Sequence, residues 1–492
     1  MTPPPEVGVP PETPPLPDAP LPATITLNAF TGDSAVSGDL AADAADWGTA
    51  TRPLAQRKTL APKAVDPGDW QDPAVGWGVV LAENAELSAA DKAAGLDAPP
   101  PIRRLLAERG RIFASRGAQF APQGIAPVLR AVPGNDQSLM RYYSDGTDQP
   151  LTIGVSEFGT ERGRIPKFLL IVGSPAEVPW QVQFSLNRSQ HVGRLDLPEA
   201  ELANYVDALL SQWADMPAEP GTPLIWSTNV DAITASMQRL VGDFLTVRMA
   251  TDPELAVTRR MDAAATCAAL VADLAATRPA VIVTTSHGKT GPLGNADAMR
   301  ATLGSPVDAD HTTLDIDALL AAWQPAGAVW YSQACCSAGS NDGTSYTGLL
   351  QSNSTAFKVV DAVGKLGAAV APLPTRLLGA QKPLRAFIGH VEPTFDWTLI
   401  EPTNGQPLTM PLVNSMYPNL FLRQRIGQAL DSHYRGVGEL YARYAKARRE
   451  VDAFTPGAGD RATYALLTAI DRQSLVILGD PTVTIPLLPS QR

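Results

Sequence analysis

The pattern of apolar and polar positions changes at about residue 165, where short apolar runs begin to alternate with segments of helical spacing. The continuous apolar runs predict buried strands at 167–173, 222–228, 279–288, 327–335 and 383–391. The segments of helical spacing predict helices at 198–213, 231–244, 262–277, 314–323 and 355–367. Strands that alternate with helices predict an α/β fold with a mostly parallel sheet flanked by helices.

The N-terminal part of the chain has a different pattern. Residues 1–23 are rich in proline and predict a flexible, partly extended tail. Residues 24–65 predict linker or disorder with one possible strand in "ATITLNAF" (23–30). Ordered structure is expected to begin near "DPAVGWGVVL" (72–81), and "PIRRLLAERG" (101–110) predicts a helix that stops at glycine.

Composition narrows the possible partners and compartment. The net charge of −11 over 492 residues argues against nucleic-acid binding, which uses basic surfaces, and is compatible with a protein or peptide partner. Three cysteines cannot build a disulfide framework, so we expect a reducing, cytoplasmic setting. The N-terminus lacks the pattern of a signal peptide, and no apolar run predicts a membrane span. P-loop, H-E-x-x-H and C-x-x-C motifs are missing from the sequence, so we expect no cofactor and no metal.

Two predicted strands end in side chains that suit nucleophilic catalysis. One strand ends at His287-Gly288 and the next ends at Cys335, and each is followed by a small, polar, glycine-rich loop. A thiol attacks as the thiolate and needs a base, and an imidazole on a neighbouring strand end supplies one. The N–H groups of Gly288 and Cys335 would form an oxyanion hole.

The same residues also have structural interpretations. A buried cysteine is usually a small apolar residue, and Cys336 competes with Cys335 as the nucleophile. Cys267 lies in an Ala-rich predicted helix and is expected in the core. His390 is expected to be structural, and Glu392 beside it is the one candidate for a third catalytic group. The remaining histidines are expected to be structural or exposed: His191, His311 and His433.

The stretch "SQACCSAG" (332–339) resembles the Q-A-C nucleophile segment of caspases, with the histidine about 50 residues upstream. Ser337 stands where caspases have glycine, and "AC-x-S" is closer to the gingipain-type and CHAT-like branch of caspase-like proteins. Four further segments are similar to elements of that bacterial branch: 168–180, 191–197, 385–397 and 475–487. The resemblance covers about residues 70–490.

This resemblance implies a caspase-like thiol protease with Cys335 as nucleophile and His287 as general base and acid. It also implies that Gln333, two residues before the nucleophile, lines the pocket for the side chain before the scissile bond. Asp342 in the following loop is a second candidate for that pocket, and the sign of the preferred side chain, Asp or Arg/Lys, stays open. Regulation is expected, either by a protein partner or by processing of the loop, and loop 337–355 is the expected site of ordering or self-cleavage.

The implied domain order has four parts. Residues 1–65 form the flexible segment, 66–164 an N-terminal extension, 165–260 a non-catalytic α/β half and 261–492 the catalytic half. Two other functions stay open: a catalytically silent caspase-like scaffold that binds a partner protein, and a thiol hydrolase or acyltransferase that does not act on peptides.

Overall fold

The computed structural model describes residues 65–401 and 404–491, together with the backbone of two short strands near the N-terminus. By contacts, residues 1–64 and 65–492 are separate compact units. In the first unit, β1 (Thr24–Phe30) pairs antiparallel with β2 (Ala35–Asp39). The possible strand in "ATITLNAF" is therefore confirmed, whereas the predicted Pro-rich tail lies outside the described residues.

The strands of the second unit carry the buried apolar runs of the sequence. They are β3 (Trp77–Ala82), β4 (Val128–Ala131), β5 (Ser138–Tyr142), β6 (Asp148–Thr152), β7 (Phe168–Val172), β8 (His191–Leu195), β9 (Leu224–Ser227), β10 (Thr258–Met261), β11 (Val281–Thr285), β12 (His287–Gly288), β13 (Pro306–Val307), β14 (Val329–Gln333), β15 (Gly339–Ser340), β16 (Ala369–Val370), β17 (Ala386–His390) and β18 (Leu475–Gly479).

The helices connect these strands. They are α1 (Ala89–Ala93), α2 (Pro100–Ala114), α3 (Trp180–Asn187), α4 (Glu199–Leu210), α5 (Ala232–Met237), α6 (Phe244–Met249), α7 (Cys267–Thr277), α8 (Ala296–Thr302), α9 (Ile316–Ala322), α10 (Thr355–Gly364), α11 (Pro372–Leu378), α12 (Met410–Asn414), α13 (Ile426–Ala429), α14 (Asp431–Asp452) and α15 (Ala458–Gln473). Within the residues described above, no helix is both long and apolar enough to cross a membrane.

In the described part of the second unit, twelve strands form one sheet in the order β10-β9-β11-β14-β17-β18-β8-β7-β3-β4-β5-β6. The pairs β17–β18, β4–β5 and β5–β6 are antiparallel and the others are parallel. Both faces are covered, because alternate residues of one strand enter different apolar clusters: Leu170 packs in one and Leu169 in the other. The predicted mostly parallel α/β sheet flanked by helices is confirmed.

The single sheet contains strands from all three segments that were predicted between residues 66 and 492. The predicted extension supplies β3–β6, and β18 of the predicted catalytic half pairs with β8 of the predicted first half. All of these strands belong to one sheet, so the predicted segments share a continuous core. Because β9, β11, β14 and β17 run parallel, their carboxyl ends meet at one edge of the sheet, called here the carboxyl edge.

Candidate active site at the carboxyl edge

The pairing of β11 with β14 places the two predicted catalytic residues side by side. Thr285 is in register with Gln333, and both His287 and Cys335 follow two residues later. Neighbouring strands lie only about 4.8 Å apart, so the two residues leave the sheet next to one another. The structure therefore brings together the two residues that the sequence pattern singled out.

Gly288 sets how closely these strand ends approach. A Cβ atom added to Gly288 would lie 1.9 Å from the carbonyl oxygen of Cys335 and 3.0 Å from its nitrogen. Real Cβ atoms do not come so close to backbone, so only glycine permits this contact without a shift of one of the two segments. The glycine after the histidine is thus explained by its packing against the peptide of Cys335.

A third residue, Asp231, bonds the imidazole. The Nε2 atom of His287 lies 2.6 Å from Oδ2 of Asp231, and the two side chains are 39% and 46% exposed. Asp231 follows β9, which pairs with β11 on the side away from β14. The carboxylate makes Nε2 the protonated ring nitrogen and leaves Nδ1 free to accept a proton.

Asp231 is held in place because it is also the N-cap of α5. Its Oδ1 accepts hydrogen bonds from the N–H of Thr234 at 3.1 Å and from its hydroxyl at 2.9 Å. The N–H of Asp231 donates in turn to the Thr234 hydroxyl at 3.0 Å, which completes a capping box. Burial tends to raise the pKa of Asp231, but the hydrogen bonds from Thr234 and His287 outweigh it and lower the pKa below its ordinary value. The carboxylate is therefore ionised at neutral pH and oriented toward the imidazole.

The thiol of Cys335 is half-buried and bonds to Thr394, in the segment after β17. The N–H of Thr394 donates to Sγ at 3.3 Å, and the hydroxyl lies 3.7 Å from Sγ. Among the described residues, no hydrogen bond joins this thiol to His287. Burial raises the pKa of the Cys335 thiol above its ordinary value, although the bonds from Thr394 lower it in part. The resting thiol is therefore protonated at neutral pH.

The two adjacent cysteines differ in their solvent exposure. Cys336 is fully buried in a small apolar cluster with Met299, Leu303 and Val363, and burial raises its pKa well above the ordinary value. Its backbone is left-handed, with a φ of 56°. Of the pair, Cys335 is the cysteine that a substrate can reach.

The structure places the third cysteine and the expected structural histidine as follows. Cys267 starts α7 and is half-buried against the edge of the core rather than inside it, with its thiol 3.5 Å from the carbonyl oxygen of Thr312. His390 is buried between Ser474 and Gln333, and burial lowers its pKa to about 3, so it is neutral. The expected structural role of His390 agrees with these contacts.

The two backbone N–H groups expected in an oxyanion hole have no carbonyl acceptor that would occupy them. Cys335 N–H donates to no backbone carbonyl in the described chain. Lys289 N–H donates to Ser305 in the β12–β13 ladder, and alternate residues of an antiparallel ladder face opposite sides, so the preceding Gly288 N–H points away from β13. Both donors are therefore available to an oxyanion.

Gln333 lies behind the thiol and is almost completely buried. Its side-chain oxygen accepts a hydrogen bond from the Tyr331 hydroxyl and lies 3.4 Å from Nε2 of His390. Asp342, the other predicted pocket residue, is exposed, and only its backbone N–H is bonded, to Asn341. The structure thus places Gln333 next to the carboxyl edge and Asp342 on the surface of the loop.

Glu392 does not occupy the position of a third catalytic group. Its carboxylate accepts hydrogen bonds from the N–H and the hydroxyl of Ser345, at 3.2 and 3.1 Å. Its backbone is left-handed, with a φ of 73°, and its carbonyl oxygen accepts from Cys336 N–H at 2.9 Å. Glu392, the expected third group, therefore bonds the loop after Cys335, while Asp231 bonds the imidazole.

That loop, residues 341–354, packs down beside the thiol. Tyr346 is buried, its ring lies 4.8 Å from that of Phe395 in an edge-to-face arrangement, and its hydroxyl donates to Pro393. Tyr346 also packs on Leu467 of α15. The loop and the segment around Thr394 thereby hold one another closed over this part of the carboxyl edge.

A buried carboxyl, Asp471, lies beneath Tyr346. Asp471 is 3% exposed, follows Leu467 by one turn of α15, and its Oδ1 atom has no hydrogen-bond partner in the described chain. Burial raises its pKa to about 7, although Thr398 and Phe395 lower it in part. Its charge also raises the pKa values of Cys335 and Tyr346.

Sequence reasoning missed Asp231, Thr394 and Asp471. The signal for Asp231 was a D-x-x-T pattern directly after a predicted strand, which marks an N-cap at a strand's carboxyl end. Nothing in the pattern around Thr394 or Asp471 indicates their place, because both reach the site through the packing of distant segments. The described residues contain no group of three His, Cys, Asp or Glu side chains placed to hold a metal ion.

Comparison with known proteins adds no relative. Neither a protein-family model nor a curated protein matches this chain.

Proposed function

We propose that this chain is a caspase-like cysteine endopeptidase with His287 and Cys335 as its catalytic pair. The observation that carries the proposal is the register of β11 with β14, which aligns the two residues at one sheet edge beside an imidazole-bonding carboxylate. A thiol, an oriented imidazole and two free backbone donors are the groups that acyl transfer requires. The resemblance of "SQACCSAG" to caspase-like and gingipain-type proteins supports the same chemistry.

The reaction follows from these groups. Nδ1 of His287 takes the proton of the Cys335 thiol, and the thiolate attacks the peptide carbonyl carbon. The N–H groups of Gly288 and Cys335 stabilise the resulting oxyanion. His287 then gives its proton to the leaving amine as the peptide bond breaks, and water hydrolyses the thioester to release the acid and restore the thiol.

The resting arrangement supports regulation. The thiol is bonded to Thr394, its pKa is raised, and Tyr346 closes the loop beside it. Proton transfer to His287 therefore requires that this segment move, which loop processing or an activating protein partner would cause. Apo enzymes often lack the final hydrogen bond between nucleophile and base, so an enzyme that becomes active on this movement agrees with the resting structure.

The buried carboxyls near the thiol support a basic residue before the scissile bond. Asp471 has an unpartnered oxygen beneath Tyr346, and Glu392 is buried on the same side of Cys335. Arg472, the cation next in sequence, bonds Leu408 and His433, and its charge lowers the pKa of Asp471 only in part. Once Tyr346 moves, a Lys or Arg side chain would favour the ionised form of Asp471, whose pKa is about 7, whereas an Asp side chain would be repelled by that form.

Cleavage of a proteome-derived peptide library tests this proposal. The wild-type protein, Cys335→Ala and Cys336→Ala would be compared, with the last as the matched control. Cuts that disappear with Cys335→Ala and remain with Cys336→Ala, clustered after Lys or Arg, are the expected result. Cuts that persist without the Cys335 thiol would refute it.

A silent scaffold that binds a partner protein is the second candidate. The raised pKa of Cys335 and the missing bond to His287 favour it over an enzyme that is active at rest. A scaffold would show neither peptide turnover nor reaction of Cys335 with peptide electrophiles, even after the 341–354 loop is opened by mutation.

A further inference from the structure

A cavity of about 640 Å³ lies away from the thiol, and neither Cys335 nor His287 lines it. It is lined by α2, the end of α4, the segment after β18 and Arg385, which precedes β17. Since β17 runs parallel to β14, Arg385 lies at the edge of the sheet opposite Cys335. The five residues of β17 separate the two edges by about 17 Å.

Two of the arginines that line this cavity already have acidic partners. Arg109 is buried, its Nη1 atom lies 3.3 Å from Asp480, and its guanidinium stacks on the rings of Trp70 and Trp77. Arg111 pairs with Glu108 at 2.6 Å on the exposed surface of α2. These pairs carry no net charge into the cavity.

The other two arginines have no such partner. In the described chain, no carboxylate lies within 4 Å of Arg385 or Arg425. Arg385 is only 7% exposed; it donates to the carbonyl of Thr484, and its Nε atom has no partner. Arg425 is half-buried and donates to the carbonyl of Thr482 at 3.1 Å.

Both guanidinium groups remain charged. Burial lowers the pKa of Arg385 to about 10 and also lowers that of Arg425, for which Asp69 and Asp480 compensate only in part and from beyond ion-pair distance. At neutral pH the cavity therefore holds two positive charges that no neighbouring carboxylate neutralises. Removing a cation from water without a counter-charge is costly, and a bound anion would offset that cost.

We propose that this cavity binds a small molecule through a phosphate group held by Arg385 and Arg425. Guanidinium groups match phosphate oxygens in geometry, and two unpaired positive charges match a phosphate dianion better than a single carboxylate. The cavity volume of about 640 Å³ leaves room for a body beyond the phosphate, and the buried ring of Trp213, over which the Arg385 guanidinium lies at 5.1 Å, forms part of its wall. The site is independent of the peptidase proposal, since it shares no residue with the candidate active site at the carboxyl edge.

Isothermal titration of the full chain with inorganic phosphate and with pyrophosphate tests the site. We expect saturable one-to-one binding with dissociation constants of about 1 mM or tighter, and none with chloride at matched ionic strength. Arg425→Gln should weaken binding at least about tenfold, the loss of one charge-assisted contact. Because Arg425 is only half-buried, this variant should fold, which thermal unfolding would verify.

The matched control is Arg111→Gln, which removes a charge from the same cavity wall but one already paired with Glu108. Binding that is unchanged in Arg111→Gln and weakened in Arg425→Gln supports the site. Equal weakening in both variants would reduce it to general electrostatic attraction, and absence of saturable binding to either anion would overturn it. Cys335→Ala should bind as the wild type does, so failure of the peptidase proposal leaves this test intact.

Discussion

Replacement of Asp231 by asparagine isolates the role of the carboxylate that bonds His287. Asparagine is nearly as good an N-cap as aspartate, so its side-chain oxygen still accepts from Thr234 and α5 is retained. The change removes the negative charge 2.6 Å from Nε2 and puts an uncharged amide in its place. Asp231→Asn therefore tests the effect of the carboxylate on the imidazole without a loss of the helix cap.

The expected size follows from the exposure of the pair. A hydrogen bond between charged groups contributes about 1.5–3 kcal/mol when protected from water, and fully exposed ion pairs contribute about 0–1 kcal/mol. With side chains 39% and 46% exposed, we expect a loss of about 1–2 kcal/mol of transition-state stabilisation. That corresponds to a fall of about 5- to 30-fold in kcat/KM, below the roughly 10⁴-fold loss known for buried orienting carboxylates.

The assay is hydrolysis of a fluorogenic peptide chosen from the library cuts, with kcat and KM determined separately. We expect kcat to fall and KM to stay constant, because the carboxylate acts on the imidazole and not on the bound peptide. Asp315→Asn is the matched control, since Asp315 caps α9 in the same way without touching the site. Unchanged kcat in Asp231→Asn, or an equal loss in Asp315→Asn, would refute the reasoning.

Three further changes test the site. Gly288→Ala places a Cβ 1.9 Å from the Cys335 carbonyl oxygen; overpacking should cost about 1–3 kcal/mol in thermal unfolding and abolish turnover, whereas Gly294→Ala, which has open space, should do neither. Asp471 holds a proton in the folded state up to its pKa of about 7 against an ordinary value of 3.8, so its stabilising contribution is complete below pH 4 and lost as the pH rises to 7. Urea unfolding should therefore show a decline of about 4 kcal/mol over that range that is missing from Asp471→Asn, and identical pH dependence would contradict the burial argument. Tyr346→Ala removes the ring that closes the loop and should speed alkylation of Cys335 by iodoacetamide, measured by intact mass; a rate equal to that of the wild type would show that the loop does not limit access.

The fold could be predicted from the sequence where one strand or helix is decided by its own residues. The apolar runs at 167–173, 279–288 and 327–335 contain β7, β11 and β14, since a strand buried on both faces is mostly apolar. The same apolar runs predicted that His287 and Cys335 lie at the ends of two strands. The two residues lie side by side because β11 pairs with β14, and no local sequence pattern predicts that pairing.

What the sequence did not predict depends on strand order and long-range packing. Asp231 bonds His287 because β9 pairs with β11 on the side opposite β14, and this strand order depends on the packing of the whole sheet. Glu392, which lies beside His390 in the sequence, was the candidate for a third catalytic group. The structure instead turns its carboxylate to Ser345, since the left-handed backbone at Glu392 directs the chain toward the 341–354 loop.

The central claim is that Cys335 is a nucleophile activated by His287. The measurement that tests it most directly is covalent labelling by a peptidyl acyloxymethyl ketone with lysine before the reactive group, read by intact mass and site mapping in the wild type, His287→Ala and Cys336→Ala. Tyr346→Ala serves as the background with the loop opened. We expect a single adduct on Cys335 that is lost in His287→Ala and kept in Cys336→Ala. An adduct on Cys336, or labelling of Cys335 that does not depend on His287, would contradict the claim.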